Sequence, residues 1–280
     1  VRNYNKNYKT LIIMKHILFT LSLLAIATAA MASDFTVDKI TYEITSQQTV
    51  SIVSADSTIQ SANLMPTVTH QGITYSVTSI GVHAFANCYS LSSVTIPSSV
   101  TSIEMGAFEA CSSLTSIIIP NSVTSIGNHA FHECESLAAI TISDNLTHID
   151  GQTFDETAFY KDPSNWEDGV LYLGNCLLAT QSDISGEYSI KEGTRLIDAS
   201  AFSHSELLTA ITIPNSVTTI EWEAFSYCTS LSTINYTGTM EQWDRVIKGY
   251  NWNYNIPAKA AICTDGCILL PKSDDDIFIL

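Results

Sequence analysis

Phenylalanine recurs at Phe85, Phe108, Phe131 and Phe154 with a step of 23 residues, and again at Phe202 and Phe225 with the same step. The gap from Phe154 to Phe202 is 48 residues, two periods plus two. The surrounding apolar positions repeat with the rings. In residues 122–144 they are Val123, Ile126, Ala130, Phe131, Cys134, Leu137, Ile140 and Ile142, separated mostly by small or polar residues. Leu137, Ile140 and Ile142 end in alternation, which predicts a strand with Ile140 and Ile142 on one face. Val123 and Ile126 mark a second extended segment, and Gly127 permits a turn. Phe131 and Cys134 are three apart, which predicts one helical turn pointing both the same way. Each unit thus points inward at three places, and no single unit can bury that apolar edge alone. Stacking buries it, so the pattern predicts a repeat solenoid, a β-rich coil of leucine-rich-repeat type with short helical turns. Pro97, Pro120 and Pro214 follow the strand and end its pairing, because proline lacks the N–H.

The flanks depart from the period. Residues 33–75 alternate as strands and predict an N-terminal β cap over the first coil, since a bare solenoid end is an open sheet edge. The solenoid proper spans 76–236, interrupted by an irregular insert at 155–193. In the insert, Val170 to Ala179 reads as a hairpin turning at Gly174-Asn175. It is expected either as a protruding recognition element or as a surface insertion without a role. Tyr188-Ser189-Ile190 lies one period before Ile211-Thr212-Ile213, where the stack should resume. Residues 237–280 predict a C-terminal cap. Thr239 to Gln242 has capping-box spacing before a helix with Trp243 and Ile247, and 262–268 reads as a hairpin with a three-residue turn.

Residues 1–32 read as an upstream segment followed by a secretory signal. Met14-Lys15-His16 leads into the apolar run Ile17 to Ala27, and Ala30-Met31-Ala32 offers small residues for cleavage after Ala32. The run is too short to span a bilayer comfortably, so no integral membrane span is expected once the signal is removed. The whole chain has a net charge of −16. Residues 1–32 hold four of the 12 Lys and Arg and none of the 28 Asp and Glu, so the exported chain carries 8 against 28, a net charge of −20. Nucleic acid and anionic membranes are therefore poor partners.

Candidate chemistry changes this picture little. Four of the seven cysteines, Cys88, Cys111, Cys134 and Cys228, sit three residues after a repeat Phe, where Thr157 and Ser205 stand in other units. They read as small buried residues rather than as disulfide partners. Cys263 and Cys267 flank the last hairpin turn and are the disulfide candidates. His129, His132 and Glu133 could in principle hold a metal, since a helical turn would put His129 and His132 on one face, but no CxxC pair or HExxH motif accompanies them and no metal site is expected. No GxSxG, phosphate loop or dinucleotide glycine pattern is present, so no catalytic residue or cofactor is expected. Asp155, Glu156, Asp162, Glu167 and Asp168 on the insert could in principle pair for glycoside chemistry, and otherwise are surface acids.

Two strips are candidates for binding. One is the hydroxyl-rich outward face of the strands: Thr95, Thr115, Ser116, Thr141, Thr209, Thr212, Ser232 and Thr233. The other is the variable strip around each Phe, and it is preferred because exposed aromatic residues and histidines suit recognition. Its members are His83, Asn87, Tyr89, His129, His132, His204, Trp222 and Tyr227, accompanied by Met105, Glu109, Glu135 and Glu223.

The unit SLxSxTIPxSVTSIGxxAFxxC resembles the BspA-like leucine-rich repeat family of bacterial surface and secreted proteins over about residues 76–236. The segments NWEDGVLYLGNCLLA and GTMEQWDRVIKGYNWNY…CTDG are similar to segments that accompany those repeats. The resemblance implies a right-handed solenoid at the cell surface or secreted. It implies binding to a protein or surface glycan in the manner of an adhesin, without catalysis. A glycan-active enzyme or glycan-binding module using the insert, and a structural spacer, are the alternatives.

Overall fold

The computed structural model describes residues 34–271, and the secretory signal expected in 1–32 lies outside them. The chain winds into a β-solenoid of about nine turns with little helix. Two short parallel strands recur in most coils, and they stack into two strips. The first strip takes the Val/Ile segment. Thr49–Ala55 pairs with Ile73–Ile80, and Ser102–Ile103, Ser125–Ile126 and His148–Ile149 follow, all parallel. It resumes with Cys176–Thr180, Leu196–Ile197, Thr219–Ile220 and Ile247–Lys248. The second strip takes the Leu-x-x-Ile segment, including Ser116–Ile118 on Ala139–Thr141. It restarts with Gly186–Ser189, Leu208–Ile213, Thr233–Tyr236 and Ala260–Cys263. Tyr188 lies beside Ile211 and Ser189 beside Thr212, so the stack resumes at the expected residues.

The third corner carries the rings. Phe85, Phe108, Phe131 and Phe154 stack at centroid separations of 5.0, 5.2 and 5.4 Å, within 11° of parallel. This is close to the spacing of paired strands, roughly 4.8 Å, so the coils are in register at the corner too. Phe202 and Phe225 form a second stack at 4.9 Å, ended by Trp252 edge-on. The expected helical turn at this corner is absent; a chain of tight turns stands there. The Phe85 and Asn87 N–H groups donate to the Ala107 and Glu109 carbonyls of the next coil at 2.7 and 2.8 Å. The Ala86 and Cys88 N–H groups donate three residues back, to His83 and Phe85. A helix would point its N–H groups along its own axis rather than sideways to the neighbouring coil. The alternation requires left-handed backbone two residues before and two after each ring. His83 and Asn87, Gly106 and Ala110, His129 and Glu133, Gln152 and Glu156, Ser200 and His204, and Glu223 and Tyr227 all have φ between 53° and 63°. Asn251 and Asn255 repeat the device around Asn253, which takes the ring's place in the last coil.

The hairpin of the insert is part of the core, not a protrusion. The hairpin Val170–Leu173/Cys176–Thr180 turns at Gly174-Asn175 as expected, but Val170, Leu171, Cys176 and Leu177 have no solvent exposure. Leu171, Leu173, Cys176 and Leu178 pack with Phe154 in one core, while Val170 and Leu177 pack with Phe202 in a second. Alternate strand residues face opposite sides, so a two-sided apolar hairpin splits the ring column into a stack of four and a stack of two.

At the amino end, Phe35–Val37, Ile40–Ile44 and Thr49–Ala55 form an antiparallel meander joined to the first strip. At the carboxyl end, a full capping box joins Thr239 and Gln242 at the start of the helix Met240–Arg245; Ile247 falls beyond that helix, in a strand. The last hairpin has a two-residue turn, Thr264-Asp265, rather than three, because Cys263 pairs with Gly266.

Candidate functional site

The corner that stacks the rings inside also fixes what lies outside. Most left-handed residues beside a ring, among them His83, Asn87, His204 and Tyr227, are held by a backbone N–H bond to the adjacent coil, so their side chains project at a fixed place in the turn. His83 and His129 stand two before a ring, Asn87, His204 and Tyr227 two after, and His132 one after. Trp222 stands three before, with Val82, Met105 and Tyr250 at the same place in other coils, all four exposed. Tyr89 stands four after, 58% exposed, and its hydroxyl donates to Asn87 Oδ1 at 2.7 Å.

The expected strip resolves into two clusters. In the first, His83 Nδ1 lies 3.2 Å from Glu109 Oε2, and the His129 and His132 rings sit 4.8 Å apart. His129 Nε2 is 2.8 Å from Gln152 Oε1. Half-buried Asp155 lies beside these histidines. Burial pushes its carboxyl above the ordinary range, against the pull of His132 and His129. In the second cluster, His204 stacks on Tyr227 at 4.8 Å and 6°, and Tyr254 meets Tyr227 edge-on at 5.3 Å. Among the described residues, no group of three or more His, Cys, Asp or Glu is arranged to hold a metal ion.

The hydroxyl strip is also outward: Thr95, Thr115, Ser116, Thr141, Thr209 and Ser232 are exposed, and Thr212 and Thr233 are half-buried. Some hydroxyls at other places lock coils together. Thr101, Thr124 and Thr147 each donate to a carbonyl 23 residues back.

The insert carboxylates are mostly engaged. Glu156 pairs with Lys161 at 2.7 Å and Glu167 with Lys191 at 2.9 Å. Asp162 accepts from the Ser164 N–H and caps a short 3-10 turn.

The cysteine slot is more specific than small size. The Cys111, Cys134 and Cys228 thiols donate to the carbonyls of Phe85, Phe108 and Phe202 in the preceding coil, at 3.2, 3.1 and 3.0 Å. Thr157 donates to the Phe154 carbonyl at 2.7 Å. A slot shared by Cys, Thr and Ser needs a small side chain with a donor. Burial pushes the Cys88 thiol to about 11 and those of Cys176 and Cys228 to about 12, so they stay protonated. Cys263 and Cys267 are free thiols. The two-residue turn sets Cys267 opposite Ile262, so Cys263 points to the core side and Cys267 to solvent, and the expected bond is not formed.

One constellation was not expected. Four residues before each ring, the chain alternates between glycine and acid: Gly81, Glu104, Gly127, Asp150, then Asp198, Glu221 and Gly249. At Gly127 a side chain would strike the backbone of Glu104 and Met105 at 2.6 to 2.8 Å. Asp150, Asp198 and Glu221 meet at the junction of the two cores. Asp198 is buried, accepts from the Ala199 N–H at 2.6 Å, and is pushed well up, chiefly by burial and then by neighbouring acids. Glu221 is also raised by burial, while His148, 2.9 Å away across the junction, opposes the rise. The spacing from Phe could have exposed this column.

Fold and surface together define a repeat scaffold with an ordered outer strip. The BspA type leucine rich repeat region, in six copies, matches residues 63–185 and 172–246. The chain belongs to that family. No curated protein matches it. Similar solved structures include a leucine-rich repeat protein from Bacteroides ovatus, 24% identical over 83% of this chain and 72% of that one, with a TM-score of 0.45. Another, from Bacteroides capillosus, is 30% identical over 46% of this chain and 96% of that one, with a TM-score of 0.43. A leucine rich cell surface protein from Faecalibacterium prausnitzii is 20% identical over 77% of this chain and 98% of that one, with a TM-score of 0.33.

Proposed function

We propose that the protein is a secreted or surface-displayed binding scaffold, adhesin-like, that holds a protein or surface glycan on its ring corner and performs no catalysis. The observation that carries this reading is the outward ladder of His204, Tyr227 and Tyr254, stacked and partly exposed although the buried ring column does not require them. Rigid aromatic side chains lose little entropy on binding and are enriched in the cores of interfaces. Among the described residues, no helix is long and apolar enough to cross a membrane. The signal-like sequence in 1–32 and the family membership support export. The meander at 35–55 and the segment from Thr239 onward serve as the caps of the stack in this reading.

Retention on a panel of host matrix proteins, bacterial surface preparations and glycans tests it. Asparagine tolerates left-handed backbone, so His204→Asn and Tyr227→Asn remove the rings without breaking the corner. The double variant is expected to keep the melting temperature and lose about tenfold or more in retention, as for a hot-spot pair. Unchanged retention with the same partner would move the site elsewhere, and no retained partner in any class would refute the reading.

A further inference from the structure

The second strip stops after Ala139–Thr141 and restarts at Gly186–Ser189, and these two strands are not paired with each other. Gly186–Ser189 is therefore an edge in the middle of the chain. The Gly186 N–H donates to the Leu207 carbonyl and the Ile190 N–H to that of Thr212, at 3.0 and 2.9 Å. Residues two apart share an edge in a strand. The N–H and C=O groups of Glu187 and Ser189 thus face the other way, where among the described residues the sheet has no further strand, and both residues are exposed. Beside this edge is an open cleft of about 650 Å³. Asp168, Gln181, Asp183, Glu187, Tyr188 and Ser189 line it, and none of its lining residues is basic. Lys191, just beyond, is already paired with Glu167.

We propose that this edge accepts an extended, lysine- or arginine-bearing peptide segment of a partner protein as an added strand. An open strand edge supplies main-chain hydrogen bonds to any extended peptide. Asp168, Asp183 and Glu187 choose the charge of that peptide, because three carboxylates with no ion pair among the described residues attract cations and repel acids. The whole chain, at a net charge of −16, favours the same partner at long range. The cleft lies on the insert rather than on the ring corner, so it stands independently of the His204–Tyr227 ladder.

The test uses the intact protein and fluorescence anisotropy of a labelled eight-residue peptide alternating lysine and valine. Three controls accompany it: the glutamate–valine counterpart, the lysine peptide N-methylated at its four central residues, and the lysine peptide at raised salt. The lysine peptide is expected to bind. N-methylation should weaken it about tenfold or more by removing the main-chain donors, and Asp183→Asn with Glu187→Gln should weaken it by a similar factor. Ser189→Pro, which removes an outward N–H that the ladder to Leu208–Ile213 does not use, should abolish binding at unchanged melting temperature. His204→Asn with Tyr227→Asn should leave it unchanged, which separates this site from the corner. Equal binding of the N-methylated peptide would reduce the effect to charge alone and overturn strand addition. Equal binding of the glutamate peptide, or no binding at millimolar peptide, would also overturn it. So would self-association of the protein that Ser189→Pro prevents, which would give the edge to a second copy.

Discussion

At the scale of single residues, each repeat position is set by what lies one coil above and below it. Phe131 is fully buried between Phe108 and Phe154. Phe131→Ala should cost roughly 3–5 kcal/mol, the value for emptying a packed aromatic site, measured by chemical denaturation; a loss under about 1 kcal/mol would place the ring outside the core. Cys134 is held by size and by its donor, so Cys134→Ser should be tolerated better than Cys134→Leu, which over-fills the column. Asp198 gives a pH signature. Its folded carboxyl lies above the unfolded value of 3.8, so the stability it contributes is full below that pH and is lost as pH rises through the folded value. Asp198→Asn keeps an acceptor for the Ala199 N–H and removes the ionisation. Denaturation midpoints of the variant should exceed those of the parent at pH 7 and converge with them in acid; a variant less stable than the parent at pH 7 would contradict a carboxyl raised by burial. The ring and cysteine positions were legible in the sequence, because their period is written in residue type. The acid column has an equally regular spacing from Phe but no single residue type to mark it, because glycine and carboxylate share that place for different reasons: Gly127 yields room to backbone, while Asp198 and Glu221 turn toward the junction.

At the scale of elements, the strands were readable and the corner was not. Alternation in Leu137, Ile140 and Ile142 located the strand correctly, and Tyr188 to Ile190 marked where the stack resumes. A three-residue step between Phe131 and Cys134 fits a helical turn and a tight-turn chain equally well. The choice falls to inter-coil bonding, which requires left-handed residues that His, Asn, Ala, Glu, Gln, Ser and Tyr supply everywhere but at Gly106, so glycine gives almost no signal. The close approach of coils makes a further prediction. Gly127→Ala would set a Cβ against the backbone of Glu104 and Met105 at 2.6 to 2.8 Å. It should destabilise by about 1–3 kcal/mol, as over-packing does, whereas alanine at exposed Gly193 meets nothing within 4 Å and carries only the cost of its left-handed backbone. Comparable losses at both places would mean that the coils are not in close contact there. The hairpin at 170–180 was located from its turn, yet its burial on both faces was missed. Val170-Leu171 and Cys176-Leu177-Leu178 are continuous apolar runs, the mark of a strand covered on both sides rather than of an exposed loop.

At the scale of the whole molecule, a single scaffold carries two separable surfaces, the aromatic corner and the cleft beside Gly186–Ser189, with a core divided between them by the hairpin. The fold class follows from the period, since no unit closes its own core. The partner does not follow, because exposed positions are free to vary and no repeat constrains them. Division of the core also predicts how the molecule opens. Four rings stack on one side of the hairpin and two on the other, joined at the junction by the His148–Glu221 contact. Local opening follows cooperative units of packing, so weakening the junction with Glu221→Gln should raise exchange at Leu196 and Ile197 more than at Ile103. Register between coils remains the claim on which every surface depends, and amide hydrogen exchange at the ring corner measures it directly. The account predicts that the N–H groups of Phe85, Asn87, Phe108, Ala110, Phe131 and Glu133, each bonded to the next coil, exchange slowly and together. Fast exchange at these amides, with protection only at those bonded three residues back, would show isolated turns without stacking and contradict it.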